Sequence, residues 1–166
     1  SKNEFNSDKY YVEYISGSCS NDANHITGPS RTGEGLVRTV KKSLKYSNLN
    51  IQDIDFISAH GTATLFNDEM ESVAFDRLKM NNIPLNSLKG FFGHTLGAAG
   101  IIEVLSCLLM MENDVVFKSI GTGTKKLGVT KPINVITENL HTKLDVILKT
   151  ASGFGGGNAS LILKKI

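Results

Sequence analysis

The sequence predicts an α/β fold built on a mixed sheet. Two observations carry the prediction. Apolar runs of strand length alternate with helical patterns through the first two thirds of the chain, and strands then follow one another with no helix between them. The composition agrees: 166 residues, 40% hydrophobic and 20% charged, suit one domain with an ordinary core.

Residues 10–15 are aromatic and β-branched enough for a first strand, and residues 16–29 read as a small-residue loop ending in Gly28-Pro29. Leu36, Val37, Val40 and Leu44 recur at helical spacing, with Arg38, Lys41, Lys42 and Lys45 on the other side. Residues 54–58 predict a buried strand. Met70, Val73, Ala74 and Leu78 predict a second helix, with Asn67 and Asp68 as its cap candidates. A short strand at residues 83–86 precedes a glycine-rich stretch at 89–100. Residues 96–111 are apolar nearly all round, the pattern of a buried helix. Strands are expected at residues 115–118 and 134–136. Two more, at 146–150 and 159–163, flank Gly153-Phe154-Gly155-Gly156-Gly157. No repeat, low-complexity segment or linker divides residues 1–166, which read as one domain.

Several classes of function are disfavoured. A formal net charge of +2 without interleaved aromatic and basic residues gives no reason to expect nucleic acid. The longest apolar run, residues 101–111, contains Glu103 and is too short to span a bilayer. Residues 1–9 hold no signal-peptide core, so a cytoplasmic location is expected. Cys19 and Cys107 have no metal-binding spacing, and reduced thiols with no metal site are expected.

Two histidines stand where chemistry is placed in α/β proteins. His60 follows directly on a predicted strand, a position as compatible with a structural role as with a catalytic one. His94 precedes Thr95-Leu96-Gly97-Ala98-Ala99-Gly100, where glycine costs about 1 kcal/mol each against alanine in a helix, so close packing is the better reason for it. A helix amino terminus near His94 favours the neutral imidazole, which donates a hydrogen bond to a developing oxyanion without first losing a proton. Lys89 and Glu103 border the same apolar region. The residues alone leave two readings open: a mutual pair, or a solvent-facing lysine and a helix-face acid.

His60-Gly61-Thr62-Ala63-Thr64 with Asn67-Asp68, then Asn86-Ser87-Leu88-Lys89 with Gly93-His94-Thr95-Leu96-Gly97-Ala98-Ala99-Gly100, then Gly153-Phe154-Gly155-Gly156 with Asn158, resemble the ordered motifs of β-ketoacyl-acyl-carrier-protein synthases. The resemblance runs from about Tyr10 to Leu163. It implies the C-terminal half of a thiolase-like fold, a three-layer α/β/α arrangement with a mixed five-stranded sheet. It implies decarboxylative Claisen condensation of acyl and malonyl thioesters in fatty-acid or polyketide-type biosynthesis. By the same resemblance His60, His94 and Lys89 are catalytic, with Glu103 supporting Lys89. Phe154 is the acyl gate and its N–H part of the oxyanion hole. Thr27, Thr62 and Thr64 hold the pantetheine arm, and His25 supports the same entrance. The implied partners are an acyl carrier protein, an N-terminal half and a second copy in a homodimer. No resident cofactor is implied, because the substrate carries phosphopantetheine.

Two departures stand out. The family's cysteine nucleophile belongs to the other half of the fold and nothing here supplies it, so this chain alone is expected to be inactive. Ser152 stands two positions before Phe154, where relatives usually carry an aromatic residue. The competing readings are a thiolase-type or decarboxylase-only relative, of which thiolases would need a second catalytic cysteine here, and a non-catalytic ketosynthase-like partner subunit, which would have no need of both histidines and Lys89. Arg38, Lys41, Lys42 and Lys45 form either a solvated face or a docking face for the acidic carrier protein.

Overall fold

The computed structural model describes residues 11–121 and 128–166; Tyr10, where the first strand was expected to begin, and the polar residues 1–9 lie outside the described residues. The elements run β1 (Val12–Asn21), α1 (Glu34–Ser47), β2 (Phe56–Ser58), α2 (Leu65–Arg77), β3 (Pro84–Asn86), α3 (Lys89–Phe92), α4 (Ala99–Glu112), β4 (Val115–Val116), β5 (Asn134–Val135), β6 (Leu140–His141), β7 (Val146–Gly153) and β8 (Gly157–Lys165).

The main sheet has the strand order β1-β8-β7-β2-β3-β5. It is mixed, as expected: β1, β8 and β7 are antiparallel, whereas β7, β2, β3 and β5 are parallel. Its strands number six among the described residues, not the expected five. The last is β5, a two-residue edge held by the pairings Pro84↔Asn134 and Leu85↔Val135. β4 and β6 form a separate antiparallel ribbon.

Strand alternation produces the three layers. Ile57, Leu148 and Ile162 face a core closed by α1 and α2 through Leu36, Val40, Met70 and Phe75. Their neighbours Phe56, Ile147 and Leu163 face a second core closed by Cys107, Met110 and Met111 of α4. With both faces covered, the central strands open on unbroken apolar runs, Phe56 and Ile57 in β2 and Val146, Ile147 and Leu148 in β7.

Three local expectations are corrected. Residues 16–21 continue β1 rather than forming a loop. Their small size lets α1 close over them, and Ser16 Oγ donates to Ser43 O (2.8 Å), Ser20 Oγ to Gly35 O (2.7 Å) and Thr39 Oγ1 to Ser20 Oγ (2.8 Å). Helix α2 begins at Leu65 with Thr64 as its cap, because Asn67 is turned inward to Glu71 (3.2 Å) and Asp68 reaches back to the N–H groups of Thr62 and Ala63. Helix α4 begins at Ala99, after a 3-10 turn over Leu96–Ala98, and buries one face only; Ile101, Leu105 and Leu109 are at least half exposed.

Candidate functional site

The site lies at the carboxyl end of β2. Phe56 and Ser58 point toward the α4 side of the sheet, and the same alternation carries His60 there. Gly61 then takes φ +44°, and a Cβ on it would stand 2.4 Å from Ser87 Cβ; only glycine lets the chain turn this close to the β3–α3 connection. Ser87 Oγ donates to Gly61 O (2.7 Å) and fixes the approach.

Glu71, on α2, underlies this turn and was not singled out from sequence. It is 3% exposed, and its carboxylate oxygens accept from the N–H of His60 (2.8 Å) and of Gly61 (2.7 Å). Burial raises its pKa, and these hydrogen bonds work against that rise.

His60 and His94 converge. Their ring centroids are 5.3 Å apart and the rings cross at 81°. His60 is buried and His94 exposed. The His60 pKa is pushed down to about 3, first by burial and then by the positive charges of Lys89 and Lys149, with His94 adding to them. The ring is therefore neutral at physiological pH. Lys89 Nζ, which can only donate, lies 3.3 Å from His60 Nδ1, so that atom accepts and the ring proton resides on Nε2. His94 Nδ1 accepts from Leu96 N (3.1 Å), which likewise leaves an N–H on Nε2 when the ring is neutral. Two imidazole N–H donors thus come from two segments at one site.

Lys89 opens α3 and is nearly buried. Its ammonium donates to His60 O (2.5 Å) and forms an ion pair with Glu103 of α4, a pairing for which the residues alone left an alternative open. Desolvation lowers the Lys89 pKa, Glu103 opposes this, and Lys149 adds to the lowering. Lys149 on β7, also missed from sequence, reaches the other Glu103 oxygen at 2.6 Å.

Beside these groups is a cavity of about 270 Å³, whose walls include Thr62, Lys89, His94, Ser119 and Ile120. The Thr62 and Thr64 hydroxyls are 2.7 Å apart. His25, Thr27 and Phe154 are not on that wall. They meet elsewhere: Gly155 N donates to Ile26 O (2.6 Å), joining the His25–Thr27 loop to the Phe154 turn. His25 Nδ1 accepts from the N–H of Thr27 (3.1 Å) and Gly28 (2.9 Å). Phe154 is 84% exposed at the tip of the β7–β8 hairpin, surrounded by glycines that offer it no side chain to pack on. Ser152 is buried and its hydroxyl bonds Asn158 Oδ1 (2.8 Å). A groove of about 610 Å³ runs between α4 and the sheet, with Cys19, Ile101, Lys149 and Thr150 on its walls. Among the described residues no group of His, Cys, Asp and Glu side chains is arranged to hold a metal ion, and no helix is long and apolar enough to cross a membrane.

Comparison with known proteins places these features in a family. The 3-oxoacyl-[acyl-carrier-protein] synthase 2 of Rhizobium meliloti is 36% identical over 95% of this chain and 38% of its own length. One chain of a solved complex, described as a type II polyketide acyl-carrier protein with its ketosynthase bound to the hexaketide, superposes with a TM-score of 0.87 at 28% identity, over 94% of this chain and 39% of that one. A ketosynthase in complex with its chain length factor from Xenorhabdus doucetiae gives 0.86 at 29% identity, over 93% and 39%. The chain thus spans about two fifths of the length of these relatives. The family model described as "Beta-ketoacyl synthase, C-terminal domain" matches residues 11–122, and the chain belongs to that family.

Proposed function

We propose that this chain supplies the decarboxylating half of a 3-oxoacyl-[acyl-carrier-protein] synthase. The observation that carries the reading is the convergence of His60 and His94, each with Nδ1 occupied as an acceptor. Two neutral donors aimed at one thioester oxygen stabilise the negative charge that develops there, and they need no proton transfer beforehand. In a malonyl thioester the bond from Cα to the carboxylate breaks, carbon dioxide leaves, and the electron pair passes into an enolate held by these N–H groups. The enolate carbon then attacks the carbonyl of an acyl thioester, a carbon–carbon bond forms, and the cysteine thiolate that carried the acyl group is expelled.

That cysteine comes from an N-terminal half that packs on this one. Support for such packing is the apolar strip of Ile101, Leu105 and Leu109 on α4, beside the groove that Ile101 and Lys149 help to line. Exposed apolar surface of this extent is a usual sign of a covering partner. The malonyl unit arrives on the pantetheine arm of an acyl carrier protein, past Thr62 and Thr64, and the reaction draws on no resident cofactor. Phe154, exposed and set in a glycine turn, is the mobile gate of the acyl site, and Thr27 and His25 line the entrance beside it.

The test is release of labelled carbon dioxide from malonyl carrier protein by the full protein, followed by appearance of the 3-oxoacyl product. Release that is unaffected when both histidines are replaced by alanine would overturn the reading.

A further inference from the structure

Lys149 has no place in the chemistry above, yet it is 3% exposed. It lies on β7 on the same sheet face as Ile147, in register with Ser58 of β2, so its side chain passes beneath α4 beside the His60 turn. Its ammonium approaches Thr150 O (2.5 Å), Ala59 O (3.3 Å), Ser58 O (3.4 Å) and Glu103 Oε2 (2.6 Å). The other Glu103 oxygen, Oε1, belongs to Lys89. One buried carboxylate thus lies between two lysines: Oε1 takes a hydrogen bond from Lys89, and Oε2 is paired with Lys149 by charge, without hydrogen-bond geometry.

The division matters because of the donor count on Lys89. Its three N–H groups face three acceptors: Glu103 Oε1, His60 O and His60 Nδ1. A carboxylate free to turn both oxygens to Lys89 would add a fourth acceptor, and a charged one. The weakest of the four, the neutral Nδ1, would be the one released.

We propose that Lys149 is a positioning residue that keeps Lys89 on His60 Nδ1, and so keeps the His60 proton on Nε2, by occupying the second oxygen of Glu103. The proposal rests on the reading of His60 as a thioester donor. The charged and titratable groups around the ring are Lys89 of α3, Lys149 of β7, Glu103 of α4, Glu71 of α2 and His94. Of these, Lys149 touches neither imidazole; apart from the field its charge places on His60, its link to the ring runs through Glu103 and Lys89.

The test is the ¹⁵N spectrum of the His60 ring at neutral pH in the full protein, which distinguishes an N–H from a bare ring nitrogen. Wild type is expected to show the Nε2–H tautomer alone. Lys149→Met is expected to add a resolvable Nδ1–H population and to lower kcat for malonyl decarboxylation roughly tenfold with KM unchanged, within the range that misplaced catalytic groups cost. Lys149→Arg, which keeps the charge, restores both. If Lys149→Met does not fold, Lys149→Gln retains a donor for the same carbonyls and is read in the same way. An unchanged tautomer in the neutral variant, or a loss as complete in Lys149→Arg, overturns the proposal. The tautomer is readable without turnover, so a protein that releases no carbon dioxide but shows the expected tautomer change would sink the proposed reaction and leave the positioning role standing.

Discussion

The His60 and His94 rings lie 5.3 Å apart at 81°, yet they reach that position from the end of a strand and from a loop ahead of a helix. Each turns its Nδ1 to a donor within its own surroundings, Lys89 Nζ in one case and Leu96 N in the other. On the proposed reading the two Nε2–H groups act on one thioester oxygen as a unit. Replacing either histidine by alanine in the full protein should lower malonyl decarboxylation by about 10²–10³, the usual loss for one oxyanion donor. The double replacement should cost much less than the product of the two, since groups that act together are not additive. Labelled carbon dioxide release measures all three.

The burial of His60 sets the acid behaviour of the fold. Its pKa falls to about 3 in the folded chain, from 6.5 when free. A histidine with a lowered folded pKa contributes stability that is complete above about pH 6.5 and is lost as pH falls toward 3, because the unfolded chain takes up the proton first. Its share of the slope approaches one proton, about 1.4 kcal/mol per pH unit. Glu71 and Asp68, whose pKa values burial raises above 4.5 and 3.8, act in the opposite sense over a window that extends upward from those values. Comparing urea unfolding of wild type and His60→Asn between pH 7 and 5 isolates the histidine, and the variant should show a flatter dependence.

How much of this was readable beforehand depended on whether a residue's neighbours were local. Helix α1 was legible because Leu36, Val37, Val40 and Leu44 repeat at its period, and all four are buried. His60, Lys89 and His94 were legible because recognisable short segments carry them, and Glu103 because it is the one acid bordering an apolar stretch. Glu71 was not, since a lone acid on a helix signals nothing until the two N–H groups it accepts are known to sit over it. Lys149 was missed because a lysine in a strand reads as its solvent side. The signal was nonetheless present: Val146, Ile147 and Leu148 form an unbroken apolar run, which marks a strand covered on both faces, and a lysine continuing such a strand must be paired. The exposed face of α4 misled in the other direction. Its all-round apolar pattern reported burial, but what would cover Ile101, Leu105 and Leu109 is not among the residues described.

Glu103 should be the least replaceable side chain of the charged cluster. Glu103→Gln leaves Lys89 and Lys149 both buried without their shared carboxylate, and breaking a buried pair from one side costs about 3–5 kcal/mol. Denaturant unfolding should show a loss of that order. The double variant Glu103→Gln/Lys149→Met, which removes one of the two stranded charges as well, should recover part of it.

The apolar strip on α4 should behave as an interface and not as part of the core. Leu105→Glu places a charge on a position that is 53% exposed, so the fold of this chain should be unchanged by circular dichroism. Co-purification with the cysteine-bearing half should be lost, since a charge buried there would have no partner. Retained co-purification at wild-type yield would remove α4 from the interface.

Neither thiol of this chain is placed to act as the acyl-carrying nucleophile. Cys107 faces the core from α4, where burial pushes its pKa up to about 11 and keeps it a thiol at physiological pH. Cys19 is exposed on β1 and pairs across the sheet with Ala159. It projects from the middle of a strand and not from a helix amino terminus, and His60 and His94 line neither the groove beside it nor any wall it shares. The 166-residue chain should therefore form no stoichiometric acyl-enzyme and carry out no condensation when given acyl and malonyl carrier proteins. Intact-mass measurement after incubation with an acyl thioester checks this. Full acylation that disappears in Cys19→Ser would mean that the chain carries its own nucleophile, and the division of labour between two halves would have to be abandoned.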